Sequence, residues 1–184
     1  MNLTFILQCL WFFLPAYFAN MAPTFAKKAG ILESLAKPID LGKNFKGKPI
    51  FGFHKTWRGM ISGIVLGILI SYFQKFLFQF SFFQKISFFN YQKLNVFFLG
   101  FLLSFGALFG DLISSFFKRR KNIKSGDSWI PFDQISFVIG ALFFTFFFFP
   151  ISTSAYFLIL FLSFFLHIIG NRLGFWLKIS DGKI

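Results

Sequence analysis

The chain of 184 residues is poor in acid, with six Asp and Glu against nineteen Lys and Arg. It has a single cysteine and two histidines. One cysteine excludes an intrachain disulfide, and Cys9, set within the first apolar run, reads as a packing residue. His54, His167 and Cys9 are far apart in the chain, so neither a zinc cluster nor a cofactor-attachment spacing is present. The GxxxxGK[ST] spacing of a P-loop is absent, as are internal repeats and flexible linkers. These absences remove the common soluble nucleotide-binding, disulfide-stapled and zinc-dependent classes.

What is there is mostly apolar. Hydrophobic residues make up 56% of the chain and the mean hydropathy is +0.68, whereas about 45–50% is usual for a soluble domain even with glycine counted. An integral membrane protein follows. The 36 Phe residues read as lipid-facing filler that reflects a coding bias, not as an aromatic binding surface. A net charge of +13 fits nucleic-acid binding in a soluble protein. Here the basic residues lie in loops between apolar segments, which fits membrane orientation and anionic head groups instead, with no nucleic-acid partner.

Crossing a bilayer takes about 20 apolar residues as a helix. Residues 3–25 are the first candidate, with Pro15 a kink. The second is 57–78, where Gly59, Gly63 and Gly67 share one face and permit close helix approach. Residues 94–117 are the third, 134–150 a shorter fourth and 152–173 a fifth, the last two forming a tight hairpin. The first segment lacks a basic n-region and is long for a signal peptide, so it is read as retained. Residues 71–93 suggest an amphipathic piece lying on the membrane. The expected architecture is all-α and integral to the membrane, with about five transmembrane helices in one domain, residues 1–184.

Basic residues alternate along this layout. The first loop carries Lys27, Lys28, Lys37, Lys43, Lys46, Lys48, Lys55 and Arg58. The second carries Lys75, Lys85 and Lys93; the third carries Lys118, Arg119, Arg120, Lys121 and Lys124; the fourth has none. By the positive-inside rule, loops one and three and the C-terminus are cytoplasmic and the N-terminus is outside. A multi-pass protein of the cell membrane, with its site on the cytoplasmic side, is the expectation.

Both heavily basic loops then face one side. Glycines 42, 47 and 52 allow backbone to approach a ligand, and Thr56 is placed to cap the second helix or to bind phosphate. A basic loop that serves topology alone accounts for the same residues. In the third segment Asp111, Ser115 and Lys118 fall on one helical face. That stripe can offer a carboxylate to a metal, a hydroxyl to a phosphate and an ammonium to developing negative charge. It fits equally an intrahelical Asp111–Lys118 pair with Ser115 as packing. Asp133, in Pro131-Phe132-Asp133-Gln134, is placed either to cap the fourth helix or to bind metal. Ionisable groups near membrane depth are costly and mark sites. Two aspartates around a cationic cluster point to a metal ion carrying polyphosphate. His54 reads as a phosphate contact or a solvated loop residue, and His167 as a partner of Asn171 one turn on.

The strings FHKTWRG at 53–59, GDLISSFFKRR at 110–120 and PFDQ at 131–134 resemble the signatures of the CDP-archaeol synthase family, within the membrane CTP-dependent phosphatidate cytidylyltransferases. PIDLGKNF at 38–45, IGALFF at 139–144 and HIIGNRLGFWLKI at 167–179 extend the resemblance over nearly the whole chain. Two departures are Phe53-His54 before Lys55, where the family often has Gly-Asp, and the segment 126–130, which is less proline-rich and leaves Asp127 outside the expected site.

The resemblance implies transfer of CMP from CTP to a membrane lipid phosphate in phospholipid biosynthesis, giving a CDP-lipid and diphosphate. The implied substrate is of archaeol type, with phosphatidate as the alternative and a non-enzymatic transporter or scaffold as the other class. The implied cofactor is Mg²⁺, held by Asp111 and Asp133, with Lys118 the third catalytic residue. Lys55, Thr56, Arg58, Ser115 and Arg119 are the expected substrate-binding residues. CTP, the lipid phosphate and the bilayer are the expected partners, and a homodimer is compatible. The lipid chains are expected to enter along helix faces near Gly63, Gly67 and Gly106.

Overall fold

The computed structural model describes residues 2–124, 127 and 129–176; Lys178 and Lys183 of the basic tail lie outside the described residues. Six α-helices run in the order α1 (Leu3–Lys28), α2 (Trp57–Leu77), α3 (Ser81–Lys85), α4 (Val96–Arg120), α5 (Phe132–Phe146) and α6 (Thr153–Trp176). A hairpin of β1 (Asn44–Phe45) and β2 (Lys48–Pro49) sits in the loop between α1 and α2. Helices α1, α2, α4 and the Thr153–Gly170 part of α6 are long and apolar enough to cross a membrane. At 15 residues, α5 is about 22 Å long, short of the ~30 Å hydrocarbon thickness. The expected all-α membrane architecture is what the chain adopts.

α4 is the central helix, packed by α1, α2 and α5. Lipid is as apolar as leucine, so burial alone does not hold helices together in a bilayer; close backbone contact through small residues does. The α4–α5 crossing is made this way. A Cβ on Gly106 would sit 2.6 Å from the Gly140 carbonyl oxygen, and one on Gly110 would overlap the carbonyl of Ser136. On the opposite side, Gly67 of α2 abuts Ser104 of α4, and Gly100 of α4 abuts Ser71. At Gly63, Gly67 and Gly106 the space a side chain would take is thus filled by neighbouring helices.

α1 stays helical on both sides of Pro15 and Pro23. A proline frees the carbonyl four residues earlier. Both freed carbonyls face α2. Gln74 Nε2 donates to the Trp11 carbonyl, and the Ala19 carbonyl lies against Gly63, 2.7 Å from where a Cβ would stand. The neighbouring helix thus occupies what the prolines expose.

The segment expected to lie on the membrane contains α3, a short helix with no buried residues, and is anchored to the bundle on either side of it. α2 continues to Leu77, Ser71 and Gln74 are fully buried, and Tyr91 packs in the core with its ring 5.9 Å from Phe78. α5 and α6 form the expected hairpin through residues 147–152. α6 docks on α1 by the Tyr17–Ser163 hydroxyl pair at 2.7 Å.

Candidate active site

The site forms where the first basic loop meets the ends of α4 and α5, so loops one and three lie at one end of the bundle, as their charge suggested. The glycine crossing controls its geometry. Gly110 precedes Asp111, and Ser136 lies one turn beyond Asp133, so the backbone contact between them holds the α4 segment that carries Asp111 close to the first turns of α5.

Asp133 is the more fully engaged. Its Oδ1 accepts from the Ser114 hydroxyl at 3.0 Å, and its Oδ2 accepts from Lys118 Nζ at 2.7 Å and the Trp129 N–H at 2.8 Å. It is not the helix cap, because Pro131 holds that position. It sits in the first turn of α5, where the helix dipole favours a negative charge. Lys118 reaches across to α5 and does not pair with Asp111 within its own helix. Ser114, not Ser115, is the hydroxyl that meets Asp133. The two serines differ by 100° around α4, and the position of α5 chooses between them. Ser115 is buried on α4.

Asp111 receives Lys55 from the first loop as an ion pair. The two residues line an open cleft of about 320 Å³ together with His54, Thr56, Gly59 and Pro23. Thr56 caps α2, its Oγ1 accepting from the Gly59 N–H at 3.2 Å. Arg58 is turned away: its Nη1 donates to Glu33 Oε1 at 2.8 Å, and it does not line the cleft. Arg119 is buried and donates to the Lys124 carbonyl. Its Nε lacks a partner among the described residues.

Asp40 was not among the expected site residues, yet it organises the loop. Its carboxylate accepts from the N–H groups of Gly42 (3.0 Å), Phe51 (2.9 Å) and Gly52 (3.1 Å). Burial pushes its pKa up, but the backbone donors outweigh burial and hold it below the ordinary value. The available signal was Asp two residues before Gly42, the pattern of a side chain closing its own turn. His54 is held below the usual imidazole range by partial burial first, then by Lys27, Lys55 and Arg119, so it is neutral at pH 7. His167 on α6 packs at a tilt against Phe137, one turn after Asp133, at 5.6 Å, within electrostatic reach of both aspartates. The side chain of Asn171, its expected partner, lies outside the described residues.

Two aspartates with nearby serine hydroxyls form a hard-oxygen donor set. Among the described residues no cluster of three metal-ligating side chains exists. Mg²⁺ is commonly held by one or two carboxylates together with substrate phosphates and water.

A family model described as CDP-archaeol synthase (CarS-like) matches residues 2–183. The CDP-archaeol synthase of Methanocaldococcus jannaschii is 38% identical over 173 residues, covering 94% of this chain and 93% of the relative. That of Thermococcus onnurineus is 40% identical over 154 residues, covering 83% and 80%. That of Methanococcus maripaludis is 38% identical over 179 residues, covering 97% and 96%. A solved intramembrane enzyme for archaeal membrane lipid biosynthesis has the same fold, with a TM-score of 0.72 over 90% of this chain and 94% of that one, at 23% identity.

Proposed function

The chain belongs to the CDP-archaeol synthase family, and from that premise we propose that the site around Asp111 and Asp133 transfers the CMP unit of CTP to the phosphate of an archaeol-type membrane lipid. The observation that carries this reading is the pairing of two carboxylates on adjacent helices with two lysines from different elements.

The nucleophile is an oxygen of the lipid phosphate. It forms a bond to the α-phosphorus of CTP, while the bond from that phosphorus to the β-phosphate bridge breaks and diphosphate leaves. The obstacle is charge, since one anion must approach another. Asp111 and Asp133 would hold Mg²⁺, which when bound neutralises phosphate oxygens and orients them. Lys118, fixed by Asp133, is placed to meet charge that grows on the transferring group. Lys55, which lines the cleft beside Asp111, faces the triphosphate from the loop side. Arg119 supplies a further buried cation. A protein nucleophile is not required.

The charge alternation supports placing this end of the bundle on the cytoplasmic side of the cell membrane, where CTP is available. The test is purified protein in lipid nanodiscs with labelled CTP, Mg²⁺ and a panel of ether-isoprenoid and diacyl glycerol phosphates. CMP should enter the ether lipid, and Asp111→Asn and Asp133→Asn should each abolish incorporation while the protein still inserts. Preference for the diacyl lipid would make the protein a phosphatidate cytidylyltransferase. Full turnover in either variant would sink the two-carboxylate assignment.

A further inference from the structure

The first loop, residues 29–56, is long for a connection inside a compact domain, and such loops are usually functional. Its tip is a hairpin of two residues per strand, turned through Lys46 and Gly47 at φ 50° and 74°. A two-stranded hairpin is marginal alone in water, so something must hold it. Arg120, the last residue of α4, does so. Nη1 donates to the Phe45 carbonyl at 3.0 Å, and Nη2 donates to the carbonyls of Lys48 (3.1 Å) and Pro49. The guanidinium also lies against two touching rings, 5.4 Å from the centre of Phe45 and 4.8 Å from that of Phe116. Lys48 Nζ returns a bond to the Arg120 carbonyl at 3.0 Å.

We propose that Arg120 is a positioning residue, a clamp that fixes the loop tip to the end of α4 and thereby sets Lys55 against Asp111. The path from clamp to site is short and tied at each step. The Ile50 N–H bonds the Lys43 carbonyl across the hairpin base, Asp40 gathers the N–H groups of Phe51 and Gly52, and the Lys55 N–H bonds the Gly52 carbonyl. The Ile39 N–H then bonds the Lys55 carbonyl at 2.8 Å. Asp111 and Arg120 stand on the same rigid helix, about 13.5 Å apart by rise per residue. α4 therefore serves as a ruler: one end holds the loop tip and the other receives the loop's lysine. Three carbonyls in a fan need a planar fork of donors, which lysine lacks.

The proposal rests on the reading of Lys55 as a CTP-phosphate contact, and the test separates the two. Full-length protein in nanodiscs is compared as wild type, Arg120→Ala, Arg120→Lys, Lys55→Ala and the Arg120→Ala/Lys55→Ala double variant. The clamp predicts an increase of about tenfold in KM for CTP in Arg120→Ala with kcat little changed, no rescue by Arg120→Lys, and little further effect of Arg120→Ala once Lys55 is gone. Additive effects, or a wild-type KM in Arg120→Lys, would overturn it. An arm independent of activity is trypsin cleavage after Lys43 and Lys46, which should be slow in wild type and at least several-fold faster in both Arg120 variants. If the wild type transfers no CMP, the functional reading has failed and cleavage alone decides the clamp. Equal cleavage rates refute it.

Discussion

Replacing Gly110 with alanine adds one methyl group at the point where α4 and α5 touch. The new Cβ would overlap the Ser136 carbonyl oxygen and lie 2.9 Å from its carbon and 3.2 Å from the Gly140 Cα. Ordinary contacts are about 3.5–4.0 Å, so the helices must separate by about 1 Å. Overpacking of this kind costs about 1–3 kcal/mol of stability. The larger effect falls on the reaction, because the same displacement moves Asp133 of α5 relative to Asp111, Ser114 and Lys118 of α4. A misplacement of about 1 Å can cost about 10²-fold in rate, equivalent to about 2.7 kcal/mol in the barrier. The assay is CMP transfer from labelled CTP to lipid phosphate in nanodiscs, with thermal unfolding measured alongside. Gly170→Ala on α6 is the matched control, since its Cβ would meet nothing within 4 Å. A roughly hundredfold fall in kcat/KM for Gly110→Ala, with Gly170→Ala unchanged, is expected. Wild-type turnover in Gly110→Ala would refute the idea that backbone contact sets the spacing of the carboxylates.

Lys118→Ala should lower kcat by about 10²–10³, the usual loss when a donor to transition-state charge is removed; a change confined to KM for CTP would assign it to ground-state binding. Asp40→Asn should speed exchange of the Gly42, Phe51 and Gly52 amides at least tenfold at neutral pH, and equal protection would count against its role. Because Asp40 has a depressed pKa, its stabilisation is complete above the ordinary carboxylate range and is lost as pH falls through its folded pKa. His54 should titrate below 6.5 by NMR, since burial and three cations favour its neutral form. Its contribution to stability therefore falls as pH drops below 6.5, and a midpoint at or above that value would refute the placement.

Periodicity and charge reached far in this chain. Residues 57–78 and 94–117 were legible as spans, and they fold as Trp57–Leu77 and Val96–Arg120. Thr56 was legible as a cap, and the alternation of lysines placed two distant loops at one end. Partners across elements were not legible. Helical spacing put Asp111 and Lys118 on one face, but only the position of α5 sends Lys118 to Asp133. Gly63 and Gly67 were legible as close-approach residues, but sequence shows a gap without showing which neighbour fills it. Arg120 was hidden within a run of four cations, since nothing local distinguishes a side chain that fans onto three carbonyls from one that faces water.

The hydrogen bond from Gln74 to the Trp11 carbonyl bears on how α1 and α2 stop sliding past each other. Greasy surfaces in a bilayer resist separation weakly and resist axial slip hardly at all. A carbonyl left without its own helix donor can be satisfied at one height only, where the amide of the neighbouring helix reaches it. Moving α2 by one turn, about 5.4 Å, would strand that carbonyl in hydrocarbon at a cost of several kcal/mol. It would also carry Thr56 and Lys55 past Asp111 by the same distance. A proline and a glutamine at the far end of the bundle thus fix the depth at which the cleft is assembled.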